Sequence, residues 1–114
     1  MTLGEKQRRF TKCIGRLIGW AYENGFELTF GDAYRSPEQA AANAKAGTGI
    51  ANSVHTQRLA VDFNLFVDGV YQTETAAHKT LGDYWKSLDQ DARWGGDFTR
   101  PDGNHYSFMH GGIS

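Results

Sequence analysis

The stretch Leu59-Ala60-Val61-Asp62-Phe63-Asn64-Leu65 has the period of a β-strand, and Asp68-Gly69 follows three residues later. A period of two places Leu59, Val61, Phe63 and Leu65 on one face and Ala60, Asp62 and Asn64 on the other. Asp-Gly is a favoured hairpin turn, so the strand is predicted to fold back onto Val70-Tyr71. A two-stranded hairpin is marginal in water, and its apolar face needs a second layer. Asp62 points away from that face.

The flanking segments supply the layer. From Leu3 to Tyr22, Phe10, Ile14, Leu17, Ile18 and Ala21 recur at helical spacing, and Asn24-Gly25 stops the helix. Phe26, Leu28 and Phe30 alternate with polar residues as a strand with one buried face. Ser36, Pro37 and Gln39 mark the capped start of a second helix running to Ala46, and Gly47 to Asn52 reads as a surface loop. Thr80 to Leu88 is a third helix, carrying Leu81, Trp85 and Leu88. The last periodic segment, His105 to His110, puts His105, Ser107 and Met109 on one face and Tyr106, Phe108 and His110 on the other. Helices and strands do not alternate regularly, which predicts a compact α+β domain over residues 1–114, its helices packed on a small, mainly antiparallel sheet.

Thirteen acidic and twelve basic residues give a net charge near −1, with Lys and Arg scattered along the chain. That disfavours a nucleic-acid binder. The lone Cys13 lies within the first helical pattern and reads as a buried thiol in a reducing compartment. The start MTLGEKQRRF lacks the roughly 7–15-residue apolar run of an export signal, and about 18 successive apolar residues occur nowhere. A monomer without membrane insertion is expected, cytoplasmic unless released.

Four histidines and no cysteine pair restrict a zinc site to imidazoles and carboxylates. His55 and Asp62 are seven apart, the wrong parity for one face of a regular strand. They converge only if His55 sits on a loop before the strand. A carboxylate buried on such a strand must be paired or coordinated, whereas a solvated Asp62 needs neither, and spacing leaves both open. In Arg100-Pro101-Asp102-Gly103-Asn104-His105, Asp102 precedes His105 by three. One could ligate while the other moves a proton, or the motif could be an Asp-Gly turn before an edge strand.

Ser53-Val54-His55, Leu59-Ala60-Val61-Asp62, Trp94-Gly95-Gly96-Asp97 and Asp102-Gly103-Asn104-His105 together resemble the zinc D-Ala-D-Ala carboxypeptidase and L-alanyl-D-glutamate endopeptidase family of peptidoglycan hydrolases. The likeness runs in order from Tyr34 to Phe108 and is strongest to the short phage and prophage branch. Arg58 departs from the pattern, standing where glycine is usual. The backbone is therefore expected to bend between His55 and Leu59, at Arg58.

The resemblance implies a Hedgehog/DD-peptidase-like fold with Zn2+ held by His55, Asp62 and His105. It makes Asp102 the catalytic base, in place of the glutamate of many relatives. Arg35 would face a substrate carboxylate and Ser53 would line the pocket. Trp94 with Gly95-Gly96 would form a turn beneath the site, Asp97 is a candidate acceptor for a ligating imidazole, and His78 and His110 are left as solvent-facing or supporting residues. The implied substrate is a peptidoglycan stem peptide, cut between L-Ala and D-Glu in the endolysin manner. D-Ala-D-Ala carboxypeptidase activity, a non-catalytic zinc module and, more remotely, a histidine-Asn-histidine nuclease are the alternatives.

Overall fold

Thr2 opens the first helix by accepting from the Glu5 amide while Glu5 returns a bond to the Thr2 amide, a reciprocal cap. Helix α1 (Leu3–Glu23) ends at Asn24, before Gly25 at φ 84°. Phe10, Cys13, Ile14, Leu17 and Ala21 form its buried stripe. Each large apolar side chain in such a stripe contributes roughly 1.5–3 kcal/mol on burial. The computed structural model describes residues 1–46 and 53–114, and the predicted loop at Gly47 to Asn52 lies outside the described residues.

Strand β1 (Phe26–Phe30) follows, then helix α2 (Pro37–Lys45), a 3-10 turn (Val54–Gln57), and strands β2 (Ala60–Val67) and β3 (Val70–Gln72). A second 3-10 turn (Thr75–His78) leads into α3 (Lys79–Leu88). Strand β4 (Ala92–Trp94), a third 3-10 turn (Gly95–Asp97) and β5 (His105–Phe108) complete the described elements. The strands run in the order β1-β2-β5-β4, with β3 also on β2, and every pairing is antiparallel. The expected hairpin is present, with Val67 opposite Val70.

One core joins the helices to the sheet. Phe10 of α1 meets Trp85 of α3 and Phe108 of β5 edge-on, at 5.7 and 5.2 Å between ring centroids. The Trp85 indole donates to the Arg93 and Ser107 carbonyls, so the apolar layer leaves no orphaned N–H there. Cys13 is buried as expected, and desolvation raises its thiol pKa.

Several local expectations need correction. Ser36 caps α2 through the Gln39 amide, but the Gln39 side chain bonds Asn43 instead of returning to the cap. Phe30 is 66% exposed, because it lies at the end of β1 where the cover stops. Trp94 closes a strand that glycine richness concealed, and the final strand ends at Phe108, with His110 in a separate bridge to Ile113. All four residues of β5 are buried, since the strand lies between β2 and β4, with Phe10 and Trp85 against Phe108 and with His55 and Phe98 against His105.

Candidate metal centre and active site

Ser53 caps the Val54–Gln57 turn by accepting from the His55 amide at 3.2 Å, and the turn closes at Arg58 in the left-handed region, φ 56° and ψ 37°. The Leu59 amide reaches back to the Val54 carbonyl and the Arg58 amide to that of His55. This is a Schellman closure, in which the left-handed residue is usually glycine. The expected bend is therefore real and falls at Arg58, whose guanidinium lies 4.0 Å from the Tyr34 ring centroid. The reversal cancels the odd spacing and brings His55 to the Asp62 side of β2.

His105 arrives by strand pairing, because it stands directly opposite Asp62 in the β2–β5 register. His55 Nε2 and His105 Nδ1 lie 3.3 and 3.4 Å from the same carboxylate oxygen, Asp62 Oδ1. These are close polar contacts without hydrogen-bond alignment, and Asp62 Oδ1 is buried with no hydrogen-bond partner. One ligand atom from each residue lies within 4.8 Å of the other two. Ligands at about 2.0–2.1 Å around a tetrahedral metal stand about 3.3 Å apart, so the observed separations suit such an ion.

The proton inventory points the same way. His55 Nδ1 lies 2.7 Å from the Ala33 carbonyl, which can only accept, so Nδ1 carries the proton. Nε2 then turns either a second proton or a lone pair toward the carboxylate. A cation between them satisfies the lone pair and the buried oxygen together, and the carbonyl fixes the tautomer as in known metal sites. Without an ion, burial opposes the charged forms, but contacts with His105 and His55 draw Asp62 down to about 2. Burial likewise lowers the His55 pKa, and Asp62 and Ala33 outweigh it, leaving a net rise.

Residues Gly31 to Arg35 strap the site from one side. The Gly31 amide donates to the Asp62 carbonyl and the Asp62 amide to that of Asp32, each at 2.7 Å, while the Arg35 amide reaches the His55 carbonyl. On the other side, partial burial and the Asp62 charge push the Asp102 carboxyl up, partly offset by His105 and His55. A cavity of about 280 Å³ opens beside Asp102, with Phe63, Glu74, Thr75 and His78 in its wall. A carboxylate of raised basicity beside a metal-competent group and an open cavity is suited to proton transfer.

The family described as D-alanyl-D-alanine carboxypeptidase, among the M15 peptidases, matches residues 46–108, more than half the chain. The chain belongs to this peptidase family. Its fold is similar to the Serratia marcescens L-Ala D-Glu endopeptidase ChiX, with TM-score 0.70 and 21% identity over 87% of this chain and 79% of that one. It is also similar to a variant of VanY, the vancomycin-resistance D,D-pentapeptidase of a VanB-type cassette, in complex with Zn(II). There the TM-score is 0.63 and identity 20%, over 90% and 71% of the chains. No curated protein matches by sequence.

In this M15 peptidase, His55, Asp62, Asp102 and His105 fall within the matched stretch, whereas Arg35 precedes it. Arg35 Nη2 holds Asp32 at 2.7 Å, beside a recess formed with Tyr34 and Gln39. The Ser53 hydroxyl is engaged as a backbone cap, so the structure gives it a local role in shaping the His55 turn. Asp97 does not serve an imidazole but binds Lys86 at 2.8 Å. His105 Nε2 has no partner among the described residues.

His78 is not solvent-facing. It is 4% exposed and pairs with the Tyr106 hydroxyl at 2.8 Å, and desolvation draws its pKa down to about 4. His110 is half-buried beside Lys6. Trp94 does underlie the site, its indole donating to the Gly103 carbonyl at 2.8 Å. Sequence reasoning missed the Ala33 carbonyl, which as backbone has no residue signature, and Thr75, which contacts the Asp102 loop from a distant segment.

Proposed function

We propose that the protein is a zinc-dependent peptidoglycan peptidase that cuts stem peptides between L-Ala and D-Glu. The observation carrying this reading is the convergence of His55 Nε2 and His105 Nδ1 on an unpartnered Asp62 oxygen, with Asp102 beside them. His55, Asp62 and His105 would hold the ion. When bound, zinc supplies Lewis acidity, which lowers the pKa of water and polarises a carbonyl.

The chain's own residues do the rest. The Asp102 carboxylate accepts the proton of the attacking water and delivers it to the leaving amine. Its raised pKa makes it the stronger base toward that water. Arg35 has guanidinium donors beyond the one engaged by Asp32, and its planar fork suits a substrate carboxylate. Retention of Asp102 argues against a zinc module without turnover.

The family description supports terminal D-Ala removal as a second reading, while the likeness to ChiX supports the endopeptidase. Either substrate offers Arg35 a carboxylate. The protein would act at the cell wall, as a phage-type lysin reaching it by release. Digestion of purified muropeptides with zinc, followed by mass spectrometry, separates the readings: peptides beginning at D-Glu identify the endopeptidase, and free D-Ala the carboxypeptidase. Intact stem peptides overturn both. Asp102→Asn is expected to abolish turnover while zinc still binds.

A further inference from the structure

No described residue hydrogen-bonds the Asp102 carboxylate, so its place is set by the backbone that carries it. Four bonds hold that backbone. The Asp102 amide donates to the Gly95 carbonyl at 2.9 Å, and the His105 amide to the Asp102 carbonyl at 3.1 Å. The Trp94 indole donates to the Gly103 carbonyl at 2.8 Å, and the Gly103 amide donates to Thr75 Oγ1 at 3.2 Å. The first three lie within the stretch from Trp94 to His105. The fourth comes from elsewhere, 28 residues back, at the turn leading into α3, and one residue further on the Phe63 amide of β2 donates to the Asn104 carbonyl at 2.9 Å.

The peptide joining Asp102 to Gly103 is thus gripped at both ends, its oxygen by His105 and its N–H by Thr75. Gly103 is buried, and a Cβ there would lie 2.6 Å from Thr75 Cα, so the two backbones touch. A buried amide without a partner is strongly disfavoured, and rotating the peptide toward solvent would relieve it. The rotation would carry Asp102 with it.

We propose that Thr75 is a positioning residue for Asp102, acting through the Gly103 amide. The proposal rests on Asp102 being the base of the peptidase reaction. A base must sit within hydrogen-bond reach of the proton it takes, and a misplacement of about 1 Å costs on the order of 100-fold in rate.

The test compares Thr75→Val, which keeps the shape and loses the acceptor, with Thr75→Ser, which keeps the hydroxyl. Both are assayed as zinc-loaded protein on stem peptide, together with zinc content and hydrogen exchange of the Gly103 amide by NMR. Thr75→Val should lower kcat about 10- to 100-fold with KM and zinc content unchanged. Its Gly103 amide should exchange at least ~10-fold faster than in the wild type. Thr75→Ser should restore both readouts.

Wild-type kcat in Thr75→Val, or equal impairment in Thr75→Ser, overturns the proposal, the latter by assigning the effect to the methyl group. A kcat loss that tracks zinc loss overturns it as well. If the wild type cuts no stem peptide, the peptidase reading fails. Amide exchange then decides whether Thr75 holds the Asp102 loop, and equal exchange in the wild type and Thr75→Val refutes that.

Discussion

Replacing Arg58 with glycine and, separately, with alanine measures the bend that assembles the metal centre. Arg58 sits at φ 56° and ψ 37°, where an L side chain costs roughly 1–2 kcal/mol. Both substitutions remove the guanidinium from the Tyr34 ring 4.0 Å away. That contact, about 0.5–1 kcal/mol at an exposed position, cancels between them. Glycine relieves the left-handed cost but adds freedom to the unfolded chain, which takes back about 0.4–1 kcal/mol. Arg58→Gly should therefore be the more stable variant by about 1 kcal/mol, reversing the usual preference for alanine.

In a domain of this size that difference corresponds to about 4 °C in Tm. Against the wild type, Arg58→Gly should be nearly neutral, since relief of the backbone and loss of the Tyr34 contact are of similar size. Urea unfolding followed by tryptophan fluorescence, in excess chelator so that metal binding adds nothing, provides the comparison. Arg58→Ala equal to or more stable than Arg58→Gly would refute the left-handed bend, and with it the route that brings His55 to Asp62.

Gly95→Ala should be severely destabilising, because a Cβ there would overlap the Asp102 carbonyl oxygen and come within 2.8 Å of His105 Cβ. We expect a loss above ~3 kcal/mol in chemical denaturation, with weakened zinc binding in any folded fraction. The metal-free protein should lose stability in acid through Asp62. Its folded pKa of about 2 lies below the ordinary 3.8, so the stabilisation is present above 3.8 and disappears as pH falls through 2. The shift corresponds to about 2 kcal/mol, and Asp62→Asn should flatten this part of the curve of urea midpoint against pH.

Much of this architecture was legible in local patterns. The hairpin from Leu59 to Tyr71, the stripe of α1 and the Ser36-Pro37 start of α2 each follow from side-chain period and cap chemistry, which depend on near neighbours. The parity of His55 and Asp62 was informative because it was wrong for one strand, and it pointed to the bend at Arg58. The convergence of His55, Asp62 and His105 needed the family resemblance beside the spacing, since only the β2–β5 register places His105 opposite Asp62. What stayed hidden depends on tertiary contact. Trp94 reads as a turn residue until β5 pairs with it, and His78 reads as either solvent-facing or supporting until the Tyr106 hydroxyl is known to face it. The Ala33 carbonyl and the Thr75 hydroxyl have no local signature, because their partners lie 22 and 28 residues away.

The central claim is that these side chains hold a zinc ion, and anomalous diffraction from zinc-grown crystals, recorded on both sides of the zinc edge, tests it most directly. The account predicts one strong peak about 2 Å from His55 Nε2, an Asp62 carboxylate oxygen and His105 Nδ1, with Asp102 near it but not ligating. No peak between these residues, or a peak held by other side chains, would contradict it.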